Sequence, residues 1–287
     1  MWILWSTLAG MFLVPFYIST RKLMWSHNLD YGLFMMNRFL FTLPFAVVFV
    51  ATYPATGIEW FVVATGCLYG FSGIPFQMSY KYTTEFVAAV ASEMIPVFAA
   101  IIGWLALNER MTPGEIIAFV TVLTGSAFVV MSTSNGRKNA LNGYGLFLLA
   151  TMMAGAYNAG TKYAKNLADF SGFELLVLHR TGVFISMIAL LATPLRKRML
   201  RFFTLPGAEK LKFARNELVF LGFAASFALA MAMQPQARSN GLIGVIYFGV
   251  LQIGLFLRAV AISEKHLARK AVGAIIASAG LVYLATH

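Results

Sequence analysis

The stretch Phe86-Val-Ala-Ala-Val-Ala-Ser-Glu-Met-Ile-Pro-Val-Phe-Ala-Ala-Ile-Ile-Gly-Trp-Leu-Ala-Leu107 decides how this chain is read. It is long and apolar enough to cross a bilayer as a helix, which takes about 20 residues. Its single charge is Glu93. An ionised carboxylate inside hydrocarbon is costly unless it meets water or a partner, so a lone acid in a span points to a substrate or proton pathway. Pro96 follows three residues later. Proline removes a backbone hydrogen bond and kinks a helix, which frees a carbonyl near Ser92, beside the carboxylate. The face Ala89, Glu93, Pro96 and Ala100 is otherwise small, which leaves room for a close helix or a ligand.

The surroundings of this stretch are similar in character. Of 287 residues 59% are hydrophobic and 11% are charged, less than half the charged share of a soluble domain. The fold class expected is an all-α integral membrane protein. Windows of span length fall at about 2–19, 31–52, 60–79, 86–107, 113–132, 143–161, 173–193, 217–235, 241–261 and 269–286, ten in all. The opening Met-Trp-Ile-Leu-Trp lacks the basic start of a secretory signal, so residues 2–19 are expected to be a retained span. The longest connection, 194–216, carries seven basic residues.

The order of features repeats. Glu109-Arg110 precedes the fifth window and Gly125 lies 16 residues after Glu109; Glu264-Lys265 precedes the tenth and Gly280 lies 16 after Glu264. Arg38 in the second window matches Arg180 in the seventh, and Glu59 opens the third as Glu217 opens the eighth. Residues 1–134 and 135–287 are therefore expected to be two five-helix repeats. Five spans per repeat reverse the second relative to the first, the inverted architecture of secondary transporters.

On these residues the chain resembles the drug/metabolite transporter superfamily, in particular its ten-span EamA-type exporter branch. The resemblance rests on Ala88 to Gly125: Ala-Ala-Val-Ala-Ser-Glu-Met-Ile-Pro-Val-Phe, then Leu-Asn-Glu-Arg-Met-Thr, then a helix ending in glycine. The second half departs from it, because no proline occupies the place around Leu251–Ile253 that corresponds to Pro96. The resemblance implies a central cavity and alternating access without ATP. It also implies a monomer, and termini in the cytoplasm.

Loop charge predicts the opposite orientation. The connections after the odd-numbered windows hold fifteen Lys and Arg, those after the even-numbered windows four. The positive-inside rule then places both termini outside the cytoplasm of the inner membrane. The net charge of +11 is read as this loop charge and not as a nucleic-acid footprint, so the partners expected are a small-molecule substrate and membrane lipids.

Glu93 is the candidate for substrate binding or proton coupling. Tyr80, Tyr157, Asn158, Tyr247 and Gln252 are candidate cavity groups, since uncharged hydrogen-bonding side chains among aromatics suit amphipathic solutes. Arg38 and Arg180, placed to snorkel to the headgroups, and Glu109 and Glu264 are candidate gating or structural charges. No catalytic set, metal site or cofactor is expected: one cysteine, two aspartates and four histidines are widely scattered, and no phosphate-binding glycine loop is present. The leading reading is a secondary transporter of small amphipathic metabolites, amino acids or related compounds. The alternatives are a flippase whose basic loop and arginines hold an anionic lipid or lipid-linked sugar, and a membrane receptor or scaffold without transport.

Overall fold

A computed structural model describes the chain except residues 29, 54–56, 107–111, 133–136, 234–240, 265 and 287, and the side chains of 137–141, 241, 242, 244, 245 and 284–286. The described residues are helical, with no strand among them. In order they form α1 (Trp2–Ser26), α2 (Tyr31–Thr52), α3 (Gly57–Ser79), α4 (Glu85–Ser92), α5 (Met94–Ala106), α6 (Pro113–Met131), α7 (Arg137–Leu167), α8 (Gly172–Leu191), α9 (Arg196–Leu200), α10 (Gly207–Met233), α11 (Gly241–Ala261) and α12 (Leu267–Thr286). Seven rods among the described residues are long and apolar enough to cross a membrane: α1, α2, α3, α4 with α5, α6, α8 and α10. Glu109, one of the candidate charges, lies outside the described residues.

Local sequence sets several ends. Asp30 caps α2 by accepting from the Gly32 amide at 3.1 Å. Thr112 with Glu115 and Ser171 with Glu174 form capping boxes at α6 and α8. In each, hydroxyl and carboxylate satisfy amides that a helix start leaves unpaired.

In the central rod the helix is interrupted at Glu93. α4 ends at Ser92 and α5 starts at Met94, with a turn at Glu93 whose amide bonds the Val90 carbonyl at 3.2 Å. Pro96 explains the break: it lies in the first turn of α5, where its missing N–H costs nothing, whereas a continuous helix needs that N–H bonded to Ser92.

The region 194–216 is mostly helical: α9, a 3₁₀ turn at Arg201–Thr204 and the start of α10. Met199 and Phe202 are buried, Arg201 pairs with Asp30 at 2.9 Å and the Arg198 guanidinium lies over Tyr31. The basic segment is thus a hook docked on the start of α2.

The rods pack in pairs: α3 with α7 and α8, α1 with α10 and α11, α5 with α7, α2 with α8 and α10, α4 with α11, and α6 with α12. The α6–α12 pair meets through both glycines of the sequence repeat. A Cβ on Gly125 would collide with the Ala277 amide and lie 2.6 Å from the Gly273 carbonyl oxygen; one on Gly280 would lie 2.7 Å from that of Ala118. Backbone is the obstacle in each case, so the helices cannot yield without separating. Gly125→Val is expected to cost about 1–3 kcal/mol, read as a lower thermal midpoint of the purified protein; an unchanged midpoint would mean that the close approach is dispensable.

Candidate functional site

Between α1, α2, α3, α4, α5, α7, α10 and α11 lies a cavity with about 620 Å³ of space. Its walls are largely aromatic, with Tyr17, Tyr69, Phe76, Phe220 and Tyr247 among them. The polar groups facing it are few: Arg38, Ser72, Gln77, Ser92 and Thr151. A second space of about 380 Å³ shares Tyr69 and Tyr247 with the first and extends to Tyr157, Asn158 and His179. Tyr157 stacks on the His179 ring at 4.4 Å, and Tyr69 meets that ring edge-on at 4.7 Å.

At one wall two arginines share one acid. Arg38 Nε lies 3.5 Å and Arg180 Nη1 3.3 Å from Glu217 Oε1. Both guanidinium carbons sit within 5 Å of the Phe220 ring centroid, at 4.8 and 4.9 Å. Arg180 also donates to the Phe220 carbonyl at 3.5 Å. All three ionic side chains are buried, at 4, 1 and 2% exposure. Among the described residues Glu217 is the one carboxylate within ion-pair distance of either arginine, so the cluster holds one positive charge in excess. An unbalanced cation at this depth costs about 3 kcal/mol on insertion scales. Neither arginine snorkels, contrary to the sequence expectation, because each points across the helix packing at Glu217 rather than along its own helix to an interface.

Glu217 was not legible as a mid-span acid. α10 begins at Gly207, ten residues earlier than the sequence window, so Glu217 lies three turns inside the helix and not at its opening. Glu59, its match in the sequence repeat, does sit in the first turn of α3.

A second buried cluster surrounds Glu93, which is 1% exposed. Gln252 of α11 donates from its amide nitrogen to Glu93 Oε1, and Ser278 of α12 lies 3.1 Å from the same oxygen and 2.8 Å from Gln252 Oε1. Glu93 Oε2 is buried with no hydrogen-bond partner. The carboxylate therefore faces α11 and α12 and does not line the cavity, whereas its neighbour Ser92 does, bonded to the Tyr17 hydroxyl at 2.7 Å. Gln252 accordingly is a partner of Glu93 and not a cavity wall.

Of the other candidates, Tyr247 lines both spaces and Tyr157 and Asn158 line the smaller. Tyr80 lines neither: it is fully buried against Phe76, its hydroxyl unpaired. Glu264 pairs with Lys270 at 2.5 Å in the first turn of α12, which ties down a helix start.

A third set lies two turns along α4 from Ser92. Glu85, in the first turn of α4, meets Arg21 of α1 at 2.9 Å and Arg258 of α11 at 3.8 Å. One turn deeper Asn216 of α10 bonds Ser19 and Thr20 of α1.

Against this geometry the comparisons can be set. Residues 1–131 match the EamA-like transporter family. That match is consistent with the drug/metabolite transporter superfamily, and together with the apolar rods it supports a multi-pass membrane protein. No curated protein matches it. A solved crystal structure superposes with a TM-score of 0.56 at 16% identity, covering 98% of this chain and 97% of that one. At that identity the likeness speaks to the fold alone.

Proposed function

We propose that the protein is a secondary transporter that moves small amphipathic organic metabolites, amino acids or related compounds, across the inner membrane by alternating access, coupled to protons through Glu93. The observation that carries this reading is the cavity, whose wall combines aromatic faces with a few convergent polar groups, as sites for small organic ligands do.

The helix pairs support ten crossings in two inverted halves, 1–134 and 135–287. Counting α4 with α5 as one rod, and leaving out the short α9, exchanging each rod with the one five places on maps α3–α7 onto α1–α10, α5–α7 onto α1–α11 and α3–α8 onto α2–α10. The same exchange leaves α2–α8, α4–α11 and α6–α12 as pairs within themselves. A broken helix at the repeat interface is a common feature of such transporters, and the break at Glu93 fits it.

With ten crossings, the set Arg21–Glu85–Arg258, the hook at α9 and the basic connections share one side. Loop charge makes that side cytoplasmic and both termini external. Alkaline phosphatase fused after His287 is expected to be active and green fluorescent protein fused there dark; the reverse pattern would overturn the orientation.

The ion pairs of Glu85 with Arg21 and Arg258 suit a gate for alternating access. Removing the acid leaves Arg21 and Arg258 without their shared counter-ion, so Glu85→Gln is expected to favour opening at that end. In a Cys67→Ala background, thiol labelling of Ser92→Cys from the basic side should then quicken by about tenfold, an ion-pair effect near 1.4 kcal/mol. An unchanged rate would remove these ion pairs as a gate.

The test of the whole reading is gradient-driven uptake of a metabolite panel by proteoliposomes. Accumulation of a small solute supports it; movement of labelled anionic lipid with no solute uptake would favour the flippase instead. The docked hook already assigns much of the basic segment to folding, since Arg198 and Arg201 are engaged with Tyr31 and Asp30.

A further inference from the structure

The two arginines that share Glu217 are not used alike. Arg180 donates to Glu217 at 3.3 Å and to the Phe220 carbonyl at 3.5 Å. Arg38 Nε lies 3.5 Å from the same carboxylate oxygen, an ion pair without the alignment of a hydrogen bond. Among the described residues no N–H of the Arg38 guanidinium is hydrogen-bonded. Arg180 and Glu217 therefore form the satisfied pair, and the surplus positive charge of the cluster falls on Arg38. Arg38 is also the one charged side chain among the described walls of the cavity, where Arg180 is absent.

Gln77 is a second wall group whose polarity is unused. It is 1% exposed, and neither end of its amide bonds a described residue. Leaving such a group unpaired is unfavourable unless something else pairs with it. A Cβ on Gly73 would lie 2.8 Å from Arg38 Nη1, so the guanidinium rests against bare α3 backbone there. Gln77 is four residues on, one turn along the same helix face, about 6 Å away along the axis. Arg38, Gly73 and Gln77 all face the cavity.

We propose that Arg38 and Gln77 hold a small monovalent inorganic anion, of the halide class, as the resident counter-ion of the arginine cluster. The charge count selects a single negative charge. A monoanion at Arg38 brings the cluster to neutrality, a neutral or zwitterionic solute leaves the surplus as it is, and a sulfate or phosphate dianion reverses it. The surplus belongs to the fold and is there with or without a solute, so the ion that offsets it has to be one that is always at hand, as chloride is. The donors select an acceptor that gives no proton back: the Arg38 N–H groups and the Gln77 amide nitrogen all donate, and a halide accepts from any direction. The site goes beyond the transporter reading and does not depend on which solute is moved.

The experiment is thermal unfolding of the full chain in nanodiscs of neutral lipid, with gluconate replaced stepwise by chloride at constant ionic strength, which holds charge screening fixed. The midpoint is expected to rise with chloride, as it does for a ligand that binds only the folded state. Arg38→Gln keeps the balanced Arg180–Glu217 pair and has no surplus to offset, so it should show only the general salt effect. The rise beyond that effect in the unaltered protein should be shared by bromide and absent with sulfate. Arg38→Lys, a point charge without the guanidinium fork, and Gln77→Leu should each need about tenfold more chloride for the same rise. The readout is the response to chloride, which a purely structural role of either residue would not move. Gluconate is the organic monocarboxylate of the series: if it offset Arg38 as well as chloride does, exchanging the two would change nothing, and the assignment to an inorganic ion would fall. Equal chloride responses in the unaltered protein and Arg38→Gln, or a larger rise with sulfate than with chloride, would overturn the proposal. Unaltered chloride dependence in both Arg38→Lys and Gln77→Leu would overturn it even if Arg38→Gln did not fold.

Discussion

Glu217→Gln is expected to be the most destabilising polar substitution in the chain. The change is isosteric, so packing is kept and only charge is lost. It leaves Arg38 and Arg180 buried side by side with no counter-ion, since Glu217 Oε1 is the point at 3.5 and 3.3 Å that both use. Removing one partner of a buried ion pair costs about 3–5 kcal/mol, because the remaining charge is stranded. Here two are stranded, and Phe220 offers only its ring and one carbonyl in return. The purified variant should melt well below the parent. Arg180→Gln combined with Glu217→Gln returns the cluster to a single excess charge, and most of the loss should be recovered. If Glu217→Gln melts with the parent, water and not Glu217 balances the arginines, and the shared counter-ion is wrong.

The all-helical, apolar character of the chain was legible because hydrocarbon imposes it: a helix must be long and apolar, and few other sequences qualify. The limits of each helix were less so. Charge in the 194–216 segment suggested a loop, yet Met199, Phe202 and Phe213 are buried, and that apolar spacing holds the hook on α2. The same segment hid the start of α10, and with it the depth of Glu217. Pro96 pointed to a kink, but proline alone does not say whether a helix bends or is interrupted; here α4 ends at Ser92 and α5 begins at Met94.

The direction of a side chain was the harder matter. Arg38 and Arg180 stood out as span charges. That they turn inward together depends on the packing of α2 and α8 around α10, which no single span encodes. Gln252 and Tyr247 lie five residues apart on α11, and one faces Glu93 while the other faces the cavity.

Glu93→Gln is expected to abolish proton-coupled accumulation while leaving the fold intact. The two statements come from different oxygens of one carboxylate. Oε1 accepts from Gln252 and lies 3.1 Å from the Ser278 hydroxyl; a glutamine amide oxygen can accept both, so the link from α4 and α5 to α11 and α12 survives. Oε2 has no partner, and an amide nitrogen there can neither take up nor release a proton. Ser92, next in sequence, faces the cavity and bonds Tyr17 at 2.7 Å, so a change at Glu93 is one residue from the solute through the turn between the half-helices. The variant should therefore keep its thermal midpoint and still exchange labelled for unlabelled solute across proteoliposomes, a process that needs no net proton movement. Accumulation driven by a pH gradient should fall to the level of empty liposomes. Full accumulation by Glu93→Gln would sink the assignment of coupling to this residue; loss of exchange together with accumulation would place Glu93 in the rocking of the halves and not in proton transfer.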